Sequence, residues 1–201
     1  MTFFDRVADQ YDRTFAPDHA ETAKDLAALL EGRRGVVLDL GCGTGRAFPH
    51  LVAMGFRVVA LDASLEMLRE AGRRGSSSEV VRVRADLYGP WPLRDASIDI
   101  VLALHSVLAH PPREDSWGHV GAEMRRVAPN GFIAIDLPEP AWAAKNLRAL
   151  GEDRYLFEAR SVSIEARIPE PSAVVAALGL PLRLVPGPLG ARAITARSST
   201  P

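Results

Sequence analysis

The sequence predicts an α/β fold: a doubly wound, mainly parallel sheet of seven strands that closes with a C-terminal antiparallel hairpin. Five short apolar runs rich in β-branched residues alternate with segments of helical periodicity, which is typical of parallel sheets with helices on both faces. Three of these runs end in an acid, where parallel strands place their ligands. Two further apolar runs flank the turn Pro-Gly-Pro-Leu-Gly at 186–190 and predict the hairpin.

Capping residues, glycines and prolines set the bounds of the individual elements. The predicted strands are 36–38, 57–61, 80–84, 98–104 and 132–136, with hairpin strands at 182–185 and 191–196. The predicted helices are 19–31, 46–54, 64–71, 114–127, 141–150 and 171–178. Residues 154–167 alternate in hydrophobicity enough to be strand-like. The N-terminal segment 3–18 carries an apolar stripe at near-helical spacing, which predicts either core packing or a binding role.

Length and composition predict one cytoplasmic domain with its own core. The chain has 201 residues, of which 47% are apolar, and no apolar run approaches the length of a membrane span. Its 24 basic and 25 acidic residues give no overall attraction to nucleic acid. The single cysteine, Cys42, excludes a disulfide framework and a cysteine metal cluster, and it is interpreted as a small packing residue rather than a nucleophile.

The stretch Asp39-Leu-Gly41-Cys42-Gly43-Thr44-Gly45 predicts a ligand site at the end of the first strand. Glycines at such a turn accept positive φ and let a ligand approach the backbone closely. A dinucleotide site requires a small residue where this chain has Arg46, and its pyrophosphate would lie beside the Asp39 carboxylate. A P-loop is excluded because no Gly-Lys-Ser or Gly-Lys-Thr follows. A positively charged ligand without phosphate fits better, because Asp39 can accept from its ammonium group.

This stretch resembles the first motif of the class I S-adenosylmethionine-dependent methyltransferases, which have a Rossmann-like fold. Asp62 and Asp86 follow at the spacings that the family uses. The resemblance implies S-adenosylmethionine as the cofactor and S-adenosylhomocysteine as its product. It also implies that Asp62 binds the ribose hydroxyls and that Asp86 accepts from the adenine amino group. Family members with a similar N-terminal opening fold it as a lid over the cofactor, which would put Tyr11 near the sulfonium or the substrate. The full set of predicted cofactor-binding residues is Tyr11, Asp39, Gly41, Cys42, Gly43, Gly45, Asp62, Ala63, Met67, Asp86, Leu87 and Leu104.

The predicted activity is in-line methyl transfer to an oxygen or nitrogen of a small-molecule acceptor. A general base helps when that acceptor is a hydroxyl or a protonated amine. The candidates are His105 and His110, which follow the fourth strand, and Asp136 at the end of the fifth, with His105 preferred because it is nearer the strand end. No metal is expected.

The resemblance and the residue pattern together divide the chain into three predicted regions. These are a lid at 1–31, a cofactor-binding core at 32–138, and an acceptor side with the terminal hairpin at 139–201. We expect a monomer or homodimer that binds neither nucleic acid nor membrane. Two other functions stay open at this point: an NAD-type oxidoreductase, which Arg46 and Asp39 argue against, and a domain that binds S-adenosylmethionine without catalysis.

Overall fold

The structure is a computed structural model that describes residues 2–15, 19–74, 78–113, 115–159 and 162–196. The strands are β1 Val36–Leu40, β2 Arg57–Asp62, β3 Val80–Arg84, β4 Ile100–Ala103, β5 Phe132–Pro138, β6 Arg148–Gly151, β7 Arg154–Ala159, β8 Val162–Arg167, β9 Leu182–Gly187 and β10 Gly190–Thr195. The α-helices are α1 Phe3–Val7, α2 Tyr11–Phe15, α3 His19–Leu29, α4 Phe48–Ala53, α5 Leu65–Arg74, α6 Ser116–Val127, α7 Pro140–Asn146 and α8 Pro171–Leu178.

Seven of the strands form one sheet in the order β3-β2-β1-β4-β5-β10-β9. The first five are parallel, and β10 pairs antiparallel with both β5 and β9. This confirms the predicted fold class and its terminal hairpin. The order reverses between β1 and β4, so the carboxyl ends of these two neighbours open a crevice of the kind in which α/β sheets bind ligands.

Both faces of this sheet are covered by helices, as in a doubly wound fold. Alternate residues of a strand point to opposite faces, and in β1 Val37 belongs to one buried cluster while Leu38 belongs to the other. Helices α3, α4 and α5 supply the Val37 face with residues such as Leu26, Phe48 and Leu68. Helices α6 and α8 cover the Leu38 face. The core therefore fixes the orientation of every strand end that borders the crevice.

A second sheet, with the order β6-β7-β8, is the main departure from the sequence prediction. The helix predicted at 141–150 is wrong beyond Asn146, where the side-chain amide donates to the Trp142 carbonyl at 2.7 Å and α7 ends. Residues 148–151 instead pair with β7. The strand-like stretch 154–167 is two strands, β7 and β8, which pair antiparallel on either side of residues 160–161, and those two residues lie outside the described part.

The N-terminal segment connects the two sheets. Thr2 caps α1 through a reciprocal pair of hydrogen bonds with Asp5, which fixes the start of this short helix. Phe3 and Val7 pack with Met67 of α5, and the ring centroid of Phe3 lies 5.9 Å from that of Phe157 on β7. The apolar stripe predicted at 3–18 thus buries part of its length, and Phe15 is a side chain that the structure does not describe.

Two glycines of α6 provide a matched test of the packing between α6 and α8. A Cβ on Gly121 would overlap the backbone carbonyl of Leu178, whereas one on Gly118 would meet Ala177 at an ordinary 3.5 Å. We expect Gly121→Ala to lower the free energy of unfolding by about 1–3 kcal/mol, because α8 has to shift. Gly118→Ala should raise it by up to about 1 kcal/mol through helix propensity. Urea unfolding measures both, and equal effects would contradict the packing.

Candidate functional site

A cavity of about 470 Å³ opens at the carboxyl ends of β1, β2 and β4, where the strand order reverses. One part of its wall comes from the glycine turn and α5, and the other from the loop after β4, α7 and the second sheet. The site residues that line it are Phe4, Tyr11, Gly41, Gly43, Asp62, Ala63, Met67, Leu87, His105, Ser106, His110, Trp142, Asn146, Arg148, Phe157 and Glu158.

The glycine turn after β1 has the conformation that its sequence requires. Gly41, Gly43 and Gly45 all have positive φ, between 53° and 74°. A Cβ on Gly41 would overlap Val107, which shows how closely the loop after β4 approaches the turn. At Gly43 a Cβ would meet nothing within 4 Å, and this residue lines the cavity. The backbone at Gly43 is therefore open to a ligand.

Asp62 joins the end of β2 to this turn. Its Oδ2 accepts from the backbone N–H of Gly43 at 2.8 Å, and its Oδ1 accepts from the N–H of Ser64 at 2.8 Å. Burial raises the pKa of Asp62, while these backbone hydrogen bonds lower it. Each carboxylate oxygen retains acceptor capacity, so a pair of ligand hydroxyls can donate to Asp62 from the cavity side.

Asp39 and Cys42 lie just behind the cavity wall. Burial and, to a smaller extent, the neighbouring Asp62 raise the pKa of Asp39 to about 7, with Arg46 acting in the opposite direction. A carboxyl that titrates near neutrality ionises readily when a cation arrives. Burial also raises the pKa of the Cys42 thiol, so this side chain stays protonated, in keeping with a packing role.

Arg46 is a candidate ligand-binding residue that the sequence prediction missed. Its Nη1 is buried and has no hydrogen-bond partner among the described residues, while its Nε lies 3.5 Å from Oδ1 of Asp12. The same Asp12 oxygen accepts from the Thr44 hydroxyl at 2.7 Å, which connects α2 to the glycine turn. An unpaired guanidinium nitrogen beside Asp39 can receive a carboxylate. In the sequence, Arg46 argues against a dinucleotide but does not by itself indicate a ligand contact.

The N-terminal helices border the cavity beside the glycine turn. The Ser64 hydroxyl donates to Asp5 of α1 at 2.6 Å, and Phe4 and Tyr11 line the cavity with their rings 6.4 Å apart. Met67 of α5 also lines the cavity. The same short helices thus pack on α5 and contribute residues to the cavity wall.

The structure brings most of the predicted site residues to the cavity, but not all of them. Tyr11, Gly41, Gly43, Asp62, Ala63, Met67, Leu87, His105 and His110 line it. The others stand behind or outside its wall: Asp39, Cys42, Gly45, Asp86, Leu104 and Asp136. Asp86 is exposed and accepts from the Tyr88 N–H at 3.0 Å, so it caps the turn after β3. Leu104 belongs to the core packed against α3, α4 and α5.

Asp136 holds the loop after β4 in place and does not reach the cavity. Its Oδ1 accepts from Arg192 Nε at 2.6 Å, and its Oδ2 accepts from the backbone N–H of His105 at 3.0 Å. Arg192 also donates to both carboxylate oxygens of Asp25 on α3 at 2.7 Å. His105 has a left-handed φ of 58°, which this buried network stabilises. Asp136, predicted as a possible catalytic residue, thus contacts the loop backbone and Arg192 and is not among the residues that line the cavity.

The opposite side of the cavity is lined by residues of the region 139–201 that the sequence analysis did not name as site residues. Trp142 and Asn146 of α7, Arg148 of β6, and Phe157 and Glu158 of β7 line this part. Arg148 and Glu158 form an ion pair at 3.2 Å across the second sheet. The alternating pattern at 154–167 indicated strands, but it did not indicate that one face of them would border the cavity.

The fold and the site define the class of protein: an α/β protein with a nucleoside-type ligand site at the point where its sheet reverses. The family described as a methyltransferase domain matches residues 37–131. A solved structure, the DhpI-SAM-HEP complex, superposes with a TM-score of 0.71 at 29% identity and covers 96% of this chain and 93% of its own. The chain belongs to the class I S-adenosylmethionine-dependent methyltransferase family, which confirms the predicted family and the cofactor class that this family uses.

Two curated relatives illustrate the range of the family. A malonyl-[acyl-carrier protein] O-methyltransferase from Pseudescherichia vulneris is 34% identical over 168 residues, which are 77% of this chain and 62% of the relative. A cypemycin N-terminal methyltransferase from Streptomyces is 30% identical over 117 residues, which are 56% of this chain and 44% of the relative. The chain thus spans less than two thirds of the length of each.

Two further findings concern the described residues. None of their helices is both long enough and apolar enough to cross a membrane. They contain no group of three or more His, Cys, Asp or Glu side chains arranged to hold a metal ion.

The raised pKa of Asp39 predicts a pH dependence of stability. Between the ordinary carboxyl value and about pH 7, the folded protein binds a proton at Asp39 that the unfolded chain has lost. Wild-type stability should therefore fall, relative to the Asp39→Asn variant, as the pH rises from 4 to 7, and the difference should level off above pH 7. Urea unfolding of the ligand-free proteins at several pH values measures this difference. A difference that is independent of pH would contradict the burial of a titrating carboxyl.

Proposed function

We propose that this chain transfers a methyl group from S-adenosylmethionine to an oxygen atom of a small-molecule acceptor. The observation that carries the proposal is the continuity of one cavity from the Gly43 backbone and Asp62 to His105, His110 and the second sheet. A ligand held by Gly43 and Asp62 at one end of the cavity would direct its reactive part toward the two histidines and the second sheet at the other end. The family, and the S-adenosylmethionine and S-adenosylhomocysteine named in the DhpI complexes, support this choice of cofactor.

The cofactor end of the cavity matches the chemistry of S-adenosylmethionine group by group. Asp62 is placed to accept from the ribose hydroxyls, and the Gly43 backbone allows close approach. Arg46 can receive the cofactor carboxylate, and Asp39 can hold the ammonium group once it ionises. Met67 and Leu87 offer apolar surface for the adenine. Asp86 would need to turn from its contact with Tyr88 to reach that base.

The size of the cavity favours a small acceptor. Sites for small molecules usually have volumes of about 300–1,000 Å³, and the 470 Å³ here must hold both the cofactor and the methylated group. An oxygen acceptor is favoured because several curated relatives are O-methyltransferases. The Streptomyces relative, an N-terminal methyltransferase, keeps a nitrogen acceptor as the alternative.

The proposed reaction depends on position and on the exclusion of water. The bound cofactor supplies an electrophilic methyl group on a sulfonium, whose leaving thioether is neutral. The protein therefore has no growing anion to stabilise at the leaving group. It acts by holding the acceptor oxygen in line with the methyl carbon and the sulfur. Phe4 and Tyr11 on one side and Trp142 and Phe157 on the other supply apolar walls that keep water away from that line.

Removal of the Asp62 carboxylate tests the cofactor site. Asp62→Ala should weaken S-adenosylhomocysteine binding by about 1–3 kcal/mol, because the ribose hydroxyls lose their hydrogen-bond acceptor in a buried site. Asp95→Ala is the matched control, since Asp95 is exposed and pairs with Arg126 outside the cavity. Calorimetric titration measures both affinities. An Asp62→Ala affinity equal to that of the control would remove Asp62 from the site.

Turnover tests the activity itself. The purified chain is incubated with S-adenosylmethionine and pooled small-molecule acceptors, and the release of S-adenosylhomocysteine is followed. We expect release that depends on one acceptor pool. Tight cofactor binding with no release from any pool would favour a regulatory domain that binds the cofactor without catalysis.

A further inference from the structure

The imidazole of His110 is fixed at the acceptor end of the cavity. It lies in the loop after β4, and its Nδ1 is 2.8 Å from the backbone carbonyl oxygen of Glu165 on β8. Its ring centroid lies 5.6 Å from that of Phe4 and 6.5 Å from that of Phe157. The ring is thus held between the N-terminal helix and the second sheet, and it lines the cavity.

The hydrogen bond to Glu165 determines which nitrogen carries the proton. A carbonyl oxygen only accepts, so Nδ1 must donate. A neutral imidazole has a single N–H, which leaves Nε2 with a free lone pair. Burial lowers the pKa of His110 and outweighs the bond to Glu165, which acts in the opposite direction. The neutral form with Nε2 as an acceptor is therefore the form present at neutral pH.

The charged groups around this ring are engaged elsewhere. On α1, Asp5 accepts from Ser64; on β7, Glu158 pairs with Arg148; and on β8, the Glu165 carboxylate pairs with Arg154. Asp62, Tyr11 and His105 are the other titratable residues that line the cavity. Among the lining residues that the structure describes, Arg148 is the one lysine or arginine, and its Glu158 partner already occupies it.

We propose that His110 is the general base of the reaction and that the acceptor carries a hydroxyl group rather than a carboxylate. This rests on the methyl transfer proposed above. A hydroxyl donates to the Nε2 lone pair, whereas a carboxylate is already ionised, has no proton to give and is repelled by that lone pair. The apolar walls at Phe4, Trp142 and Phe157 fit an acceptor with an apolar body.

The proposed step transfers one methyl group and one proton. The acceptor oxygen forms a bond to the methyl carbon as the carbon–sulfur bond breaks, and the bonding pair stays on sulfur, which becomes neutral. The hydroxyl proton moves to Nε2 of His110. The resulting imidazolium keeps its Nδ1–H bond to the Glu165 carbonyl and later releases the proton to solvent.

His105, the base preferred from the sequence, lacks this arrangement. Its backbone N–H is bound to Asp136, but its ring makes no hydrogen bond to any described residue, so no contact selects a tautomer. Burial and the nearby Arg46 both lower its pKa. His110 therefore replaces His105 as the preferred base. The hydrogen bond to the Glu165 carbonyl orients the His110 ring, and this matters more than nearness to the end of β4.

The tautomer is measured directly by long-range ¹H–¹⁵N correlation on histidine-labelled protein saturated with S-adenosylhomocysteine. His110 is assigned by the signal lost in His110→Gln. We expect a protonated Nδ1 and an unprotonated Nε2 at pH 7.5. The opposite tautomer, or an imidazolium at that pH, would overturn the assignment of His110 as a base.

Kinetics test the role and the acceptor class together. One pool of alcohols and phenols and a second pool of the matching carboxylic acids are each assayed with S-adenosylmethionine. We expect turnover from the hydroxyl pool, and His110→Gln should lower kcat by about 10²- to 10⁴-fold, the usual contribution of a general base. The KM for S-adenosylmethionine should change little. The wild-type rate should fall at acidic pH as His110 protonates, and this acidic limb should be absent from His110→Gln.

The controls separate a chemical role from a structural one. Glutamine can still donate to the Glu165 carbonyl, so unchanged thermal unfolding and S-adenosylhomocysteine affinity would show that His110→Gln is folded. His119→Gln, on the exposed side of α6, is expected to keep the wild-type rate. Turnover of carboxylic acids alone, unaffected by His110→Gln, would overturn this inference and leave methyl transfer intact. Cofactor binding with no turnover from either pool would remove the proposed function, and His110 as a base with it.

Discussion

The site depends on one pair of hydrogen bonds, those that the Asp62 carboxylate accepts from Gly43 and Ser64. Asp62 stands at the end of β2, while Gly43 belongs to the turn after β1 and Ser64 precedes α5. A single side chain therefore fixes the relative position of two strand ends and one helix start. It also leaves acceptor capacity toward the cavity. Because both oxygens are held by backbone groups, the carboxylate is oriented before any ligand arrives, which reduces the cost of binding.

Three other parts of the chain complete the cavity around this fixed point. The buried Asp25–Arg192–Asp136 network joins α3, β10 and β5, and it supports the strained backbone at His105 through one hydrogen bond. The N-terminal helices reach the same region through Asp5 and Asp12. The second sheet brings Phe157 and the Glu165 carbonyl against His110. Residues far apart in the sequence thus meet because parallel strand ends share one edge of a sheet.

The sequence predicted most of the fold and part of the cavity lining, and the physical reasons for the successes differ from those for the misses. The strands β1 to β5 have strong apolar signals, and Gly41, Gly43 and Asp62 have local patterns that determine their roles. The end of α7 was missed because the extended pairing of 148–151 comes from a tertiary partner, β7, which local propensity does not reveal. Trp142 and Phe157 were missed because a lining role depends on which face of an element borders the cavity. The tautomer of His110 depends on a carbonyl 55 residues away.

The central claim is that this cavity binds a cationic nucleoside and not a diphosphate. Equilibrium titration of the purified chain with S-adenosylmethionine and, separately, with NAD tests it most directly. The carboxyls of Asp39 and Asp62 should favour the ammonium and ribose of the first ligand and repel the pyrophosphate of the second. The account predicts saturable one-to-one binding of S-adenosylmethionine and none of NAD at the same concentration. Saturable binding of NAD without binding of S-adenosylmethionine would contradict it.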